Sequence, residues 1–115
     1  MKRPSDVYRL EHMLEHAREA VAMAAGRGRA DLGADRSLEL SLVRLVEVIG
    51  EAASQVSEET RVRHPHIVWR AMVGMRHRLI HGYDYIDLDL LWDTVTLDLP
   101  VLVRQLEDLL GQAGP

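Results

Sequence analysis

The chain of 115 residues contains no cysteine and no phenylalanine, only four prolines, and 4% aromatic residues. The absence of cysteine excludes a disulfide framework, a thiolate metal site and a cysteine nucleophile. No apolar run approaches the roughly 20 residues needed to span a bilayer. The opening Met1-Lys2-Arg3-Pro4 leads into a charged amphipathic segment, not the apolar stretch of a signal peptide. The expectation is a single cytoplasmic domain over residues 1–115, with no membrane partner.

Acidic residues are missing from one long window. Residues 60–83 carry Arg61, Arg63, Arg70, Arg76 and Arg78 and no acid, although the chain as a whole has a net charge of −4. His64, His66, His77 and His81 fall in the same window. Overall negative charge argues against nonspecific nucleic-acid binding. The window itself has the makings of an anion site.

Hydrophobic residues make up 47% of the chain, enough for a modest core, and their spacing is helical. Residues 5–25 place Val7, Leu10, Leu14, Ala17, Val21 and Ala24 on one stripe, with Ser5 as N-cap and Gly26 as stop. Residues 27–36 are polar and Gly-containing and read as a loop. Residues 37–56 repeat the stripe with Leu38, Leu42, Leu45, Ile49, Ala52 and Val56, capped by Ser37. Ser57 caps a short turn that ends before His64-Pro65, because a residue preceding proline disfavours the helical region. A third long helix is predicted over 67–81, stopped by Gly82. A fourth runs over 87–110, capped by Asp87 and kinked at Pro100. Strand alternation is scarce, so the predicted fold class is all-α, an antiparallel bundle of four to five helices.

Chemistry concentrates in "MVGMRHRLIHGYDYID", residues 72–87. On a continuous helix Arg76 and His81 diverge by roughly 140°, His77 and His81 share a face, and Arg76 nearly aligns with Tyr83. His81, at the predicted C-terminus, meets the negative end of the helix dipole. A histidine near its switching range can move protons, and an arginine can hold a phosphate and stabilise developing charge. These two groups suffice in principle for cleavage of RNA without metal; the alternative reading of the same residues is an interface in which neighbouring carboxylates satisfy them. Other constellations read more plainly. His12/His16 and His77/His81 have metal-like spacing but lack a third ligand, so no metal or cofactor is expected. Asp84, Asp87 and Asp89 suit capping of the last helix. Glu47 and Glu51 suit pairing with the arginine-rich window, Glu47 also with Arg44. Tyr85 and Trp92 can stack on bases, with Trp92 better placed for the core. Met72 and Met75 are core fillers.

Arg76 to Tyr83 reads R-x4-H-x-Y, which resembles the signature of HepT-like toxins of the HEPN ribonuclease superfamily. "VIGEAA", "PHIVW" and "LWDTVTLDLPVL" resemble further segments of that family, so the likeness spans nearly the whole chain. The resemblance implies a helical homodimer with a composite, metal-independent RNase site between protomers. It assigns Arg76 and His81 as catalytic. His77 takes a supporting position where the family commonly has Asn. Tyr83 matches the tyrosine that a minimal nucleotidyltransferase antitoxin modifies with AMP. The expected function is an endoribonuclease toxin of a toxin–antitoxin pair, acting on RNA. The alternative is a catalytically silent HEPN module that binds and supports a nucleotidyltransferase.

Overall fold

Pro4 opens the first helix, where its fixed φ is pre-organised and its missing N–H would lack a partner anyway. In the computed structural model, which describes residues 3–82 and 85–111, α1 runs Pro4–Ala24. Ser5 therefore lies inside the helix, and Arg3 holds the N-cap position without a side-chain hydrogen bond. Leu10, Leu14, Ala17 and Ala24 of the predicted stripe are buried, joined by Met13 and Ala20, while Val7 and Val21 sit half-buried at its margins. Gly26 follows the helix with φ 76°.

The polar stretch predicted as a loop contains a short helix, α2 (Arg29–Ala34). Two local features explain it: the Asp31 carboxylate accepts from the Gly28 N–H at 2.8 Å, and Leu32 is fully buried. Helix α3 (Arg36–Gln55) starts one residue before the predicted cap Ser37, because Asp35 accepts from the Leu38 N–H at 3.1 Å. Ser57 caps α4 (Glu58–Arg63) as expected, and α4 ends at His64-Pro65.

The last run divides into α6 (Leu88–Asp93), a π-helical turn (Thr94–Asp98) and α7 (Leu99–Leu110). Asp87 caps it as expected, accepting from the Leu90 N–H at 3.0 Å. The distortion expected at Pro100 takes the form of this wider turn. Pro100 cannot donate, and the Leu99 N–H bonds five residues back to the Thr94 carbonyl.

Helix α1 packs against both α3 and α7, and α3 packs in turn against α5 (Trp69–Leu79). The result is a helical slab of 45 × 35 × 19 Å around one leucine-rich cluster. The all-α prediction holds. The exception is a two-stranded ladder, β1 (Ile80–His81) with β2 (Tyr85–Ile86). No described helix is long and apolar enough to cross a membrane.

A buried carboxylate ties the start of α1 to the start of α4. Asp6, only 2% exposed, accepts from the Ser57 N–H at 2.9 Å, the Ser57 hydroxyl at 2.6 Å and the Thr60 hydroxyl at 2.7 Å. Burial alone raises the Asp6 carboxyl pKa. The three hydrogen bonds and the charge of Arg3 outweigh it and hold it below its ordinary value. A depressed folded pKa contributes stability in full above the unfolded pKa, about 3.9. That stability is lost as pH falls through the folded value. Asp6→Asn should therefore cost about 1–3 kcal/mol near neutrality. In urea melts across pH, the gap from wild type should stay constant down to about pH 4 and narrow below it. A gap already closing at about pH 6 would mean that another group governs the network.

Candidate active site

Helix α5 takes its start from the "HPHIVW" segment. The Trp69 indole donates to the His64 carbonyl at 3.0 Å, and Gln105 of α7 donates to the His66 carbonyl at 3.2 Å. Ile67 and Trp69 are buried beneath it. The helix turns Trp69, Met72, Met75 and Leu79 inward, so both methionines are core fillers as expected. Arg70, Val73, Arg76, His77 and Arg78 face out. It begins two residues later and ends two residues earlier than predicted, because Ile67 and Val68 still belong to the connection and Ile80 already belongs to a strand.

Gly50 sets how close α3 and α5 come. A Cβ built there would lie 2.7 Å from the Met72 carbonyl oxygen, closer than real Cβ contacts. One turn before Gly50 stands Glu47, and one turn after Met72 stands Arg76. Their side chains meet, with the Arg76 Nε donating to the Glu47 Oε2 at 2.6 Å. Two contacts that advance in opposite chain directions make α3 and α5 antiparallel. Glu47 is mostly covered, with its side chain 16% exposed, whereas that of Arg76 is 65% exposed. A charge-assisted bond this short fixes direction. At such exposure it adds little stability. Glu47 orients one edge of the guanidinium and leaves the rest facing solvent. Of the two acids expected to meet the arginine window, Glu47 does so. Glu51 instead pairs with Arg44 at 4.0 Å, and the expected Arg44–Glu47 pair is replaced by these two.

His81 is not on a helix. Ile80 pairs with Ile86 and His81 with Tyr85 in antiparallel register, and the Asp87 N–H bonds to the Leu79 carbonyl at 2.9 Å. Gly82, with φ 65°, adopts the backbone conformation that glycine supplies most easily. Here the side-chain period switches from 3.6 to 2. Ile80 and Ile86 turn to the core, while His81 and Tyr85 stand exposed together, ring centroids 5.8 Å apart. Two expectations built on a helix through residue 81 fall with it, a shared helical face for His77 and His81 and a place for His81 within the helix's last turn, while the expected alignment of Arg76 with Tyr83 falls on a residue outside the described ones.

His77 is exposed on α5, with no hydrogen bond among the described residues. Tyr83 and Asp84 lie outside the described residues. Arg76 and His81 share no hydrogen bond among the described residues of one chain; each projects outward on its own element. Asp89 pairs with Arg29 at 2.7 Å. His16 Nδ1 bonds to the His12 carbonyl at 2.7 Å, and no group of three or more candidate metal ligands occurs among the described residues. Trp92 is half-buried against the core. Sequence reasoning missed the Gly50 contact and the choice of Glu47 over Glu51. "VIGEAA" and the expected pairing of Glu47 and Glu51 with the arginine window were the signals in this part of α3.

The Ribonuclease HepT-like family model matches residues 13–109. A protein of Caldanaerobacter subterraneus that carries a provisional RNase name is 32% identical over 101 residues, covering 88% of this chain and 90% of its own. A Thermococcus cleftensis protein provisionally named ribonuclease HepT is 38% identical over 79 residues, covering 69% and 72%. A provisionally named RNase of Methanocaldococcus jannaschii is 31% identical over 98 residues, covering 85% and 90%. No solved structure matches the chain at a significant level.

Gly50→Ala tests the helix contact. Alanine gains about 1 kcal/mol of helix propensity, but the clash is with backbone, which cannot swing aside, and overpacking of this kind costs about 1–3 kcal/mol. The variant should melt below wild type. Gly33→Ala, with open space around its Cβ, should melt at or above it. A Gly50→Ala protein as stable as the Gly33 variant would show that α5 is free to move off α3.

Proposed function

The chain belongs to the HepT-like ribonuclease family, and on that footing we propose a specific activity and control. It is a metal-independent endoribonuclease toxin, active as a homodimer and neutralised by AMP transfer onto Tyr83 from a minimal nucleotidyltransferase antitoxin. The observation that carries this reading is the presentation of the R-x4-H pair. Arg76 is aimed outward by Glu47, and His81 is held outward by strand pairing.

In the proposed reaction His81 accepts the proton of a ribose 2′-hydroxyl. The 2′-oxygen forms a bond to the adjacent phosphorus, and the P–O5′ bond breaks. The departing 5′-oxygen takes up a proton from water, leaving a 2′,3′-cyclic phosphate and a 5′-hydroxyl. Arg76 stabilises the doubly charged transition state through nitrogens that Glu47 does not occupy. His77, on the same outer surface, supports the phosphate.

The exposed face formed by α4, the connection and α5 supports the dimer. Val62, Val68 and Val73 are all exposed, at 68%, 56% and 41%. They border an open groove of about 1020 Å³ that also carries Arg61, Arg70 and Arg78. A twofold pairing across this face covers the valines and sets two rows of arginine opposite one another. Such a cleft repels itself unless it holds a polyanion, which suits RNA.

Light scattering should give about twice the chain mass for wild type and for both site variants. Arg76→Ala and His81→Ala should each lower RNA cleavage by about 10²–10⁴-fold, and EDTA should leave wild-type cleavage unchanged. Chelator-sensitive cleavage would move the chemistry elsewhere. RNA left intact by wild-type protein would favour the silent nucleotidyltransferase-supporting module.

AMP on Tyr83 would add a phosphodiester charge and an adenosine between Gly82 and Asp84, next to His81 in sequence. Tyr83→Phe should remain an active nuclease and escape the antitoxin. Mass spectrometry after incubation with the nucleotidyltransferase and ATP should find the adduct on wild type alone. An adduct on the Phe variant would place control at another residue.

A further inference from the structure

We propose that Tyr85 is the base-stacking residue of the RNA site, holding the base of the nucleotide whose 2′-hydroxyl faces His81. The inference rests on the reading of His81 as the proton acceptor and adds a ligand contact to it. The R-x4-H-x-Y motif ends before Tyr85, and only the ladder register brings Tyr85 to the site. His81 and Tyr85 are directly opposed across two strands. Opposed residues on one face have Cβ atoms about 4.5–5.5 Å apart, so the ring of Tyr85 travels with that of His81.

The environment of Tyr85 favours a ligand over the protein core. Its side chain is 66% exposed. Among the described residues its ring contact is with His81, at 5.8 Å between centroids and with the planes tilted by 50°. The inward side of the same ladder is filled by Ile80 and Ile86. Two other aromatic residues among the described ones are engaged elsewhere. Trp92 is half-buried against the core, and Tyr8 lies against His12 with centroids 4.2 Å apart.

The substrate chemistry supplies the rest. A base hangs from C1′, the carbon adjacent to the one that bears the 2′-hydroxyl. A nucleotide that gives its 2′-proton to His81 therefore brings its base into the space beside that ring, over Tyr85. Stacking accepts any base, because each has a π-face. Tyr85 thus holds the nucleotide 5′ to the scissile phosphate by its π-face and accepts all four bases, with a modest preference for purines, whose face is larger.

The test is binding, so that it does not depend on cleavage. A single-stranded RNA oligonucleotide carrying one 2′-deoxy nucleotide at the cleavage position cannot be cut there. Its Kd is measured by fluorescence anisotropy, beside an oligonucleotide that is abasic at that nucleotide. Tyr85→Ala should weaken binding of the intact oligonucleotide roughly ten- to hundredfold. Tyr85→Phe should stay close to wild type. Removing the base should weaken wild type by the same factor and should weaken Tyr85→Ala no further. Equal Kd for wild type and Tyr85→Ala, or an equal loss on intact and abasic RNA, overturns the inference. Coupling between Tyr85 and the base in a protein that cleaves no RNA would leave stacking standing and overturn the nuclease reading alone. Wild-type protein that binds neither oligonucleotide overturns both.

Discussion

At Gly50 the carbonyl oxygen of Met72 stands 2.7 Å from the place where any other residue would carry its Cβ, too close for one to fit. The separation of α3 and α5 follows from that contact, and the position of Arg76 follows from the separation. Glu47 reaches the guanidinium because each residue is one turn from the contact, on antiparallel helices. A surface ion pair of this kind adds little to stability. Its effect is positional: an arginine side chain with several rotatable bonds is held at one nitrogen and presents the others to solvent. Preorganised positive charge stabilises a transition state without reorganising at the moment of reaction.

The second constraint is a change of period. Up to Leu79 the chain obeys helical spacing, and the last turn of α5 carries Arg76, His77 and Arg78. From Ile80 it obeys strand spacing. Two β-branched residues, Ile80 and Ile86, face the core from opposite strands. Their burial fixes the register, and the register fixes His81 and Tyr85 outward. A one-residue slip would bury the histidine.

Charge distribution links these local arrangements to a polyanionic substrate. The chain is acidic overall, yet the window 60–83 has no acid of its own. Two of its arginines find carboxylates just outside the window or across the fold: Arg63 meets Glu59, one turn earlier on α4, at 3.0 Å, and Arg76 meets Glu47 of α3. Arg61, Arg70 and Arg78 line the groove on α4 and α5. Glu58 is the acid on the same groove, so arginine outnumbers carboxylate there three to one.

The sequence by itself determined the helical class, the four long helical runs, the caps at Ser57 and Asp87, and the basic window. Each is local or periodic, set by residues within a turn or two of one another. It also carried the motif that names Arg76, His77, His81 and Tyr83. Tertiary structure decided what no local spacing encodes. Leu32 made a helix of a polar stretch because it had a core to enter. A π turn accommodated Pro100. Asp6 found Ser57 and Thr60 across 51 and 54 residues. Glu47 was chosen over Glu51 by a backbone contact at Gly50. The end of the third helix depended on a strand partner five residues beyond His81, since Ile80 pairs with Ile86. Read alone, residues 76–81 continue a helix. Pairing with Tyr85–Ile86 satisfies their backbone another way, and only the folded chain brings that partner into reach.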